Sequence, residues 1–307
     1  MQQPPFSIPE YYAASTIQMR GAAGQEWIAR LPQLLRDYAQ KWEITVEPPF
    51  PNLSFNYVAP AERKDGTKAV LKAGFTTDKE FKTELQALRI FDGHGIVKLL
   101  EYDLAQSMML LERLEPGTPL TAITNDEEAT TIAASVMREL WQSAPASHQF
   151  PYVSDWGKGF SRLRARFEGK SGPFPAKLVD KAERLFAELA ASQSEQALLH
   201  GDLHHDNILK AQREPWLIID PKGIIGEPVY ETGALLRNPQ SQLLHYSNPR
   251  QVLARRVALL SEHLGMDRER ILGWGFSQAV LSAWWFIEDN GQGWEQEIAC
   301  AELLNAL

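Results

Sequence analysis

The stretch that most restricts how this 307-residue chain can fold is His200-Gly201-Asp202-Leu203-His204-His205-Asp206-Asn207, followed by Ile208-Leu209 and then by Leu217-Ile218-Ile219-Asp220. Ionisable and amide side chains this dense cannot be buried together without partners, while the apolar runs beside them read as short buried strands. The pattern predicts a polar loop held at the rigid edge of buried strands, with Asp220 at the end of the last one.

The remainder supplies two bodies on which such a loop can rest. At 307 residues a single core has usually stopped growing, and 44% hydrophobic against 23% charged residues is enough to bury two. Trp27, Leu31, Leu34, Leu35, Tyr38 and Trp42 recur on one helical face before the breaker Glu47-Pro48-Pro49. Residues 54–59 and 68–73 read as a hairpin turned at Asp65-Gly66. A helix follows over 78–92, with Thr77 or Asp78 as its cap and Gly93 as its stop, and then two strands over 96–104 and 107–114. The turn-rich Glu115-Pro116-Gly117-Thr118-Pro119 marks a linker. Helices are expected at 126–142, capped by Asn125, at 175–192, and from about Pro249 to the end. The fold class is therefore α+β, with a β-rich antiparallel lobe over 1–114 and a larger, mainly helical lobe over 115–307.

Charge and cysteine usage exclude several partners. With 39 acidic against 31 basic side chains the formal charge is −8, and no dense Lys/Arg run exists to meet a phosphate backbone, so nucleic acid is not expected. A negative field suits a cationic small molecule, although it also serves simply as a solubility device. The single cysteine, Cys300, forms no intrachain disulfide and fits a reducing cytoplasm. Met1 to Glu10 lacks the basic and apolar regions of a leader, and no apolar run is long enough to cross a bilayer. No membrane partner is expected.

The loop's chemistry can be read from its spacing. Phosphoryl transfer needs an acceptor hydroxyl oriented in line and cations that neutralise charge on the phosphates. Asp202 five residues before Asn207 has the spacing of a kinase catalytic loop, where the aspartate takes or orients the substrate proton and the asparagine binds metal. Asp220 would be the second ligand of a Mg2+ ion, which prefers hard oxygen donors completed by ATP phosphates and water.

These residues resemble the motif of the aminoglycoside phosphotransferase superfamily. Asp220-Pro221-Lys222-Gly223, with Gly226-Glu227-Pro228-Val229-Tyr230-Glu231-Thr232-Gly233-Ala234-Leu235-Leu236-Arg237-Asn238-Pro239, is similar to its streptomycin 6-kinase and hydroxyurea phosphotransferase branch. So are Leu110-Leu111-Glu112-Arg113-Leu114, Pro116-Gly117-Thr118-Pro119-Leu120 and Ala279-Val280-Leu281-Ser282-Ala283-Trp284-Trp285. The resemblance implies a protein-kinase-like two-lobed fold that binds ATP between its lobes, with a hinge near 111–117. It also implies that Lys72 binds the α- and β-phosphates, with Glu84 as ion-pair partner and Glu80, one turn earlier, as the alternative. Val70, on the same strand face as Lys72, would pack on adenine. Backbone groups of Glu112 and Leu114 would meet the adenine edge, and Ser54 and Asn56 lie in the nucleotide loop over 52–57, which contains no glycine. Asp220-Pro221-Lys222 in place of Asp-Phe-Gly implies no hydrophobic switch, hence constitutive activity.

Glu231 first, then Glu227 and Asp155, are candidates for gripping a cationic substrate, or else solvated or helix-capping acids. Trp284, Trp285 and Glu288 are either substrate residues or part of a helical core. His204 and His205 approach phosphate or only support the loop, and His200 braces it through backbone hydrogen bonds. A transition-metal hydrolase built on these histidines leaves Asn207 and Asp220 without a task. The resulting expectation is an ATP- and Mg2+-dependent kinase of a streptomycin-like aminoglycoside hydroxyl, conferring resistance. The alternatives are a kinase of an endogenous sugar, amino alcohol or hydroxyurea-like compound, and a non-catalytic nucleotide-binding protein.

Overall fold

The computed structural model describes residues 6–193, 195–289 and 291–307, with Ser241 described by its backbone alone. The first five residues of the opening segment, read above for a leader, lie outside the described residues. The chain divides into two compact units, Met1–Glu115 and Pro116–Leu307.

The first unit is a helix-backed antiparallel sheet. Helix α1 (Glu10–Lys41) is followed by β1 (Ile44–Val46), β2 (Tyr57–Arg63), β3 (Lys68–Ala73), α2 (Lys79–Phe91), β4 (Leu99–Asp103) and β5 (Met108–Glu112). The sheet order is β1-β2-β3-β5-β4, and every neighbouring pair is antiparallel. Trp27, Leu31, Leu34, Leu35 and Tyr38 of α1 share one core with Ala59, Ala61, Ala69, Leu71 and Ala73 of the central strands. Because strand side chains alternate, that burial turns Val70 and Lys72 to the opposite face. Helix α2 starts at an Asp78 cap whose carboxylate accepts the Glu80 amide at 2.9 Å, and it ends with Asp92 in the left-handed region at φ 47°.

The first unit departs from the sequence reading at several element starts: β1 has no counterpart in it, and β4 begins at Leu99 rather than Ile96. Helix α1 begins at Glu10 rather than near Trp27, because Gly21, at φ 59° and ψ −133°, breaks the apolar stripe into two segments with different phases. Strand β2 begins three residues later than 54, since 54–56 are bends rather than strand.

The second unit is mainly helical. It contains α3 (Asp126–Leu140), β6 (Gln142–Ser143), α4 (Val153–Arg166), α5 (Ala176–Ala191), β7 (Ala197–Leu199), β8 (Ile208–Lys210), β9 (Trp216–Ile218) and β10 (Ile224–Gly226). Then come α6 (Thr232–Arg237), α7 (Gln240–Leu243), α8 (Pro249–Leu264), α9 (Arg268–Asp289) and α10 (Glu295–Asn305). From Ile271 to Trp284 every residue of α9 is buried, as expected of a helix apolar on all sides, and α4, α5, α6, α8 and α10 pack around it. Sequence periodicity did not reveal α4, because Gly157 and Gly159 interrupt its stripe. Both are contact points: a Cβ on Gly157 would stand 2.5 Å from the Phe186 ring, and one on Gly159 would stand 2.5 Å from Leu281. Among the described residues no helix is long and apolar enough to cross a membrane.

Candidate active site

The polar string of residues 200–207 leaves β7 and enters β8. Because β7 pairs with β10, His200 lies beside the residues that precede β10, and its carbonyl accepts the amides of Lys222 at 2.8 Å and Gly223 at 3.2 Å. The pairing of β8 with β9 brings Asn207 beside Ile219, whose amide donates to the Asn207 carbonyl at 3.0 Å. The β7–β10 ladder and the β8–β9 hairpin thus bring the segments carrying Asp202, Asn207 and Asp220 side by side. Gly201 has φ 91°, which an L side chain rarely adopts, and this turns the chain so that Asp202 follows at once.

Three buried side chains support the loop from below. Glu231 accepts the His200 amide at 2.7 Å and the Gly201 amide at 2.8 Å. Burial pushes its carboxyl up to about 7 against these two hydrogen bonds, which favour the charged form. The His200 ring bonds the Ile219 carbonyl through Nε2 at 2.8 Å, and its Nδ1 accepts the Asp202 amide at 3.1 Å. That pair of contacts selects the tautomer protonated at Nε2, and burial lowers the ring's pKa to about 4, so it stays neutral. Arg237, at the end of α6, donates to Asp202 Oδ1 at 2.9 Å.

The Asp202 side chain keeps 29% of its surface exposed, and Oδ2 lies 3.8 Å from His204 Nε2. Burial works against its ionised form, but Arg237, His204 and Lys222 prevail and hold the carboxyl below the usual range. Asn207 donates its amide nitrogen to the Asp202 carbonyl at 3.0 Å, so its oxygen is the atom left to a metal or solvent. Asp220 sits in the left-handed region at φ 61°, a strained place for a residue other than glycine, with Lys222 Nζ 3.5 Å from its carboxylate.

The histidines do not converge. His200 uses both ring nitrogens on backbone, His204 Nδ1 accepts the Asp206 amide at 3.3 Å, and the buried His205 ring has no hydrogen-bond partner. A hydrolytic transition-metal centre would need these imidazoles turned toward one point.

In the first unit, Lys72 Nζ lies 2.6 Å from Glu84 Oε1, both side chains being almost fully buried, while Glu80 is on the exposed first turn of α2. Val70 is half-buried two residues before Lys72 on the same strand face. Ser54 is exposed, and Asn56 Oδ1 is buried without a hydrogen-bond partner beside Gly74, where a Cβ would stand 2.8 Å from it. Glu112 ends β5 with its amide committed to the Lys98 carbonyl at 2.9 Å, and Leu114 is buried two residues on.

The acids considered for a cationic substrate are placed otherwise. Glu231 is turned inward beneath the loop of residues 200–207. Glu227 is buried, accepting from Nε and one terminal nitrogen of Arg270 at 2.6–2.9 Å and from the Trp274 indole at 2.5 Å. Asp155 caps α4 through the Tyr152 amide at 2.9 Å and pairs with Lys158 at 2.7 Å. Glu288 holds Arg162 in two bonds, at 2.7 and 2.9 Å, tying α9 to α4. Trp284 is buried in the core. Trp285 is half-buried and meets Trp156 edge-on at 5.5 Å, and the Trp156 ring comes within 3.0 Å of where a Gly201 Cβ would stand. Sequence reasoning passed over Trp156, which lies on no quoted motif, and Arg237, which stands in the family-like string without a role of its own.

Residues 41–290 match the family described as aminoglycoside/hydroxyurea antibiotic resistance kinase. The streptomycin 6-kinase of Streptomyces glaucescens is 34% identical, over 92% of each chain. The hydroxyurea phosphotransferase of Kitasatospora aureofaciens is 33% identical, over 97% of this chain and 85% of its own. Among solved structures, choline kinase LicA from Streptococcus pneumoniae superposes with a TM-score of 0.63 at 16% identity, covering 90% of this chain and 99% of that one. An aminoglycoside phosphotransferase, APH(4)-Ia, solved with ADP and hygromycin B, gives 0.62 at 12% identity, covering 88% and 96%. The fold is kinase-like, with the antiparallel sheet and the larger helical part that the sequence leads one to expect. This chain belongs to the aminoglycoside/hydroxyurea antibiotic resistance kinases, and it is a nucleotide-using phosphotransferase.

Proposed function

We propose that the protein is a Mg2+-dependent kinase that moves the γ-phosphate of ATP to a hydroxyl of streptomycin or a closely similar aminocyclitol. The observation that carries the chemistry is the Asp202 carboxylate, with Oδ1 held by Arg237 and Oδ2 on the partly exposed side of the loop. The substrate rests on relatives: two streptomycin 6-kinases are 34% and 31% identical, against 28% for a streptomycin 3''-kinase, which favours position 6. A net charge of −8 suits a cationic acceptor.

Asp202 orients the acceptor hydroxyl and takes its proton as the new oxygen–phosphorus bond forms and the bond to ADP breaks. The Asp220 carboxylate and the Asn207 oxygen fit Mg2+, being hard donors of which Asn207 is fixed by its own amide; both would hold the ion. When bound, it neutralises charge developing on the phosphates. Lys72, fixed by Glu84, orients the α- and β-phosphates of the nucleotide. Val70 packs on adenine, Glu112 and Leu114 meet its edge, and Ser54 and Asn56 border the nucleotide. The first unit is thus the nucleotide-binding lobe and the second the acceptor-binding one. Trp285, with Trp156 beside the catalytic loop, is the aromatic surface for the acceptor. The amides of Lys222 and Gly223, committed to His200, support an activation-independent loop.

The test is ADP release with MgATP against streptomycin, other aminoglycosides, hydroxyurea, choline and simple sugars, with Asp202→Ala alongside. Streptomycin-stimulated turnover that falls by about 10³-fold or more in the variant is expected. Near-normal turnover of Asp202→Ala would remove the mechanism. The 33% identity to the hydroxyurea phosphotransferase favours a second reading, which stimulation by hydroxyurea alone would establish.

A further inference from the structure

The guanidinium of Arg237 is buried and cannot shed its charge, so its retention there requires partners on each side. On one side it meets Asp202 Oδ1 at 2.9 Å. On the other, its second terminal nitrogen lies 3.7 Å from Glu297 Oε1. Glu297, in the first turn of α10, is 1% exposed, and the same oxygen accepts Ser282 of α9 at 3.1 Å and the side-chain amide of Gln240. Glu297 Oε2 and Arg237 Nε have no hydrogen-bond partner. A cluster built only for stability would be expected to satisfy these atoms, since each unpaired buried polar group costs about 1–3 kcal/mol.

We propose that Arg237, steadied from behind by Glu297, is a positioning residue for phosphoryl transfer: it fixes the rotation of the Asp202 carboxylate so that Oδ2 is presented to the acceptor hydroxyl. This rests on Asp202 acting as proposed above. A carboxylate on a loop can rotate about two side-chain bonds, and one hydrogen bond from a rigid planar fork removes that freedom. The fork in turn needs a second anchor, because an arginine paired at one end only would swing with the aspartate. Glu297 supplies it, and Ser282 and Gln240 anchor Glu297 to α9 and α7. The C-terminal helix thereby acts on catalysis without touching the substrate.

The experiment compares Arg237→Ala, Arg237→Lys, Glu297→Gln, Asp202→Ala and, as a structural control, Arg270→Met. It reads kcat, KM for both substrates, melting temperature, and rescue by added ethylguanidinium. Arg237→Ala should lose about 100-fold in kcat with KM for ATP within about twofold, the size of effect that a displaced catalytic group produces. Ethylguanidinium should restore about fivefold or more of that loss in Arg237→Ala and none in Asp202→Ala. Glu297→Gln should lose about three- to tenfold in kcat, and Arg270→Met should melt earlier with kcat unchanged. Arg237 variants that fold and keep kcat within about twofold, or a loss that ethylguanidinium leaves untouched, would overturn the inference. If Arg237→Ala does not fold, Arg237→Lys and Glu297→Gln decide: lowered kcat at a native melting temperature supports it, and unchanged kcat overturns it. Should Asp202→Ala itself stay active, the reading of Asp202 falls; with Asp202→Ala silent and Arg237→Ala normal, only the role of Arg237 falls.

Discussion

Lys72 and Asp202 are held in place by different means. Lys72 stands on a regular strand, and its partner Glu84 comes from the next helix, twelve residues on, with 2.6 Å between the two charged groups. Asp202 stands on irregular backbone after a glycine at φ 91°, and its supports arrive from His200, Glu231, Arg237 and, behind them, Glu297. Sheet register sets the direction of a strand side chain before any polar support is added. A loop has no register, and its geometry must be imposed by polar groups buried beneath it, each with a desolvation cost.

That contrast can be broken first at Lys72. Lys72→Met removes the cation beside the buried Glu84, so kcat/KM for ATP should fall by about 100-fold or more. Unfolding stability should fall by about 3–5 kcal/mol, the cost of removing one member of a buried ion pair. Glu84→Gln keeps the shape and should lose less, about tenfold in kcat/KM. Steady-state kinetics at varied ATP check both, and a Lys72→Met enzyme with normal kcat/KM would end the claim that Lys72 orients the phosphates.

A smaller effect concerns supports that serve stability alone. Arg270→Met leaves Glu227 buried with only the Trp274 indole, and should cost about 3 kcal/mol of stability. With about 2–4 °C per kcal/mol for a unit of this size, melting should drop by roughly 10 °C while kcat measured well below that temperature holds. A matching drop in kcat would mean that Glu227 reaches the catalytic loop, and the distinction between positioning and structural acids would weaken.

The same contrast explains what was legible beforehand. Short-range patterns spoke: the apolar stripe of α1 after Gly21, the Asp78 and Asn125 caps, the Asp65-Gly66 turn, and the spacing of Asp202, Asn207 and Asp220 all depend on neighbours within a few turns of chain. Long-range supports were silent, because nothing local distinguishes Glu231, whose carboxylate meets backbone amides 30 and 31 residues away, from an acid facing solvent. Glu227 misled in the same way, its partner Arg270 being 43 residues distant. Arg237 sat inside a quoted family string, yet its task depends on a helix that begins at Glu295. Helix α4 went unread because packing against Phe186 and Leu281 demanded the glycines that hide a helical stripe.

The smallest predicted effect is a pH signature confined to the loop's supports. Burial raises the Glu231 carboxyl from an ordinary 4.5 to about 7 and lowers the His200 ring from 6.5 to about 4. An acid raised on folding contributes stability that is fully present below its unfolded value of 4.5 and is lost as pH rises through about 7. A histidine lowered on folding does the opposite: its contribution is present above 6.5 and is lost as pH falls through about 4. The two slopes, each on the order of 3 kcal/mol across its window, oppose each other between pH 4.5 and 6.5 and largely cancel in the intact protein. Removing either group should unmask the other. Relative to the parent, Glu231→Gln should gain melting temperature as pH rises from about 5 to 6.5, and His200→Gln should lose it over the same range, whatever constant offset each substitution adds. Melting curves at fixed ionic strength separate slope from offset, and slopes of the same sign in both variants would mean that the two groups titrate as one unit rather than as opposed supports.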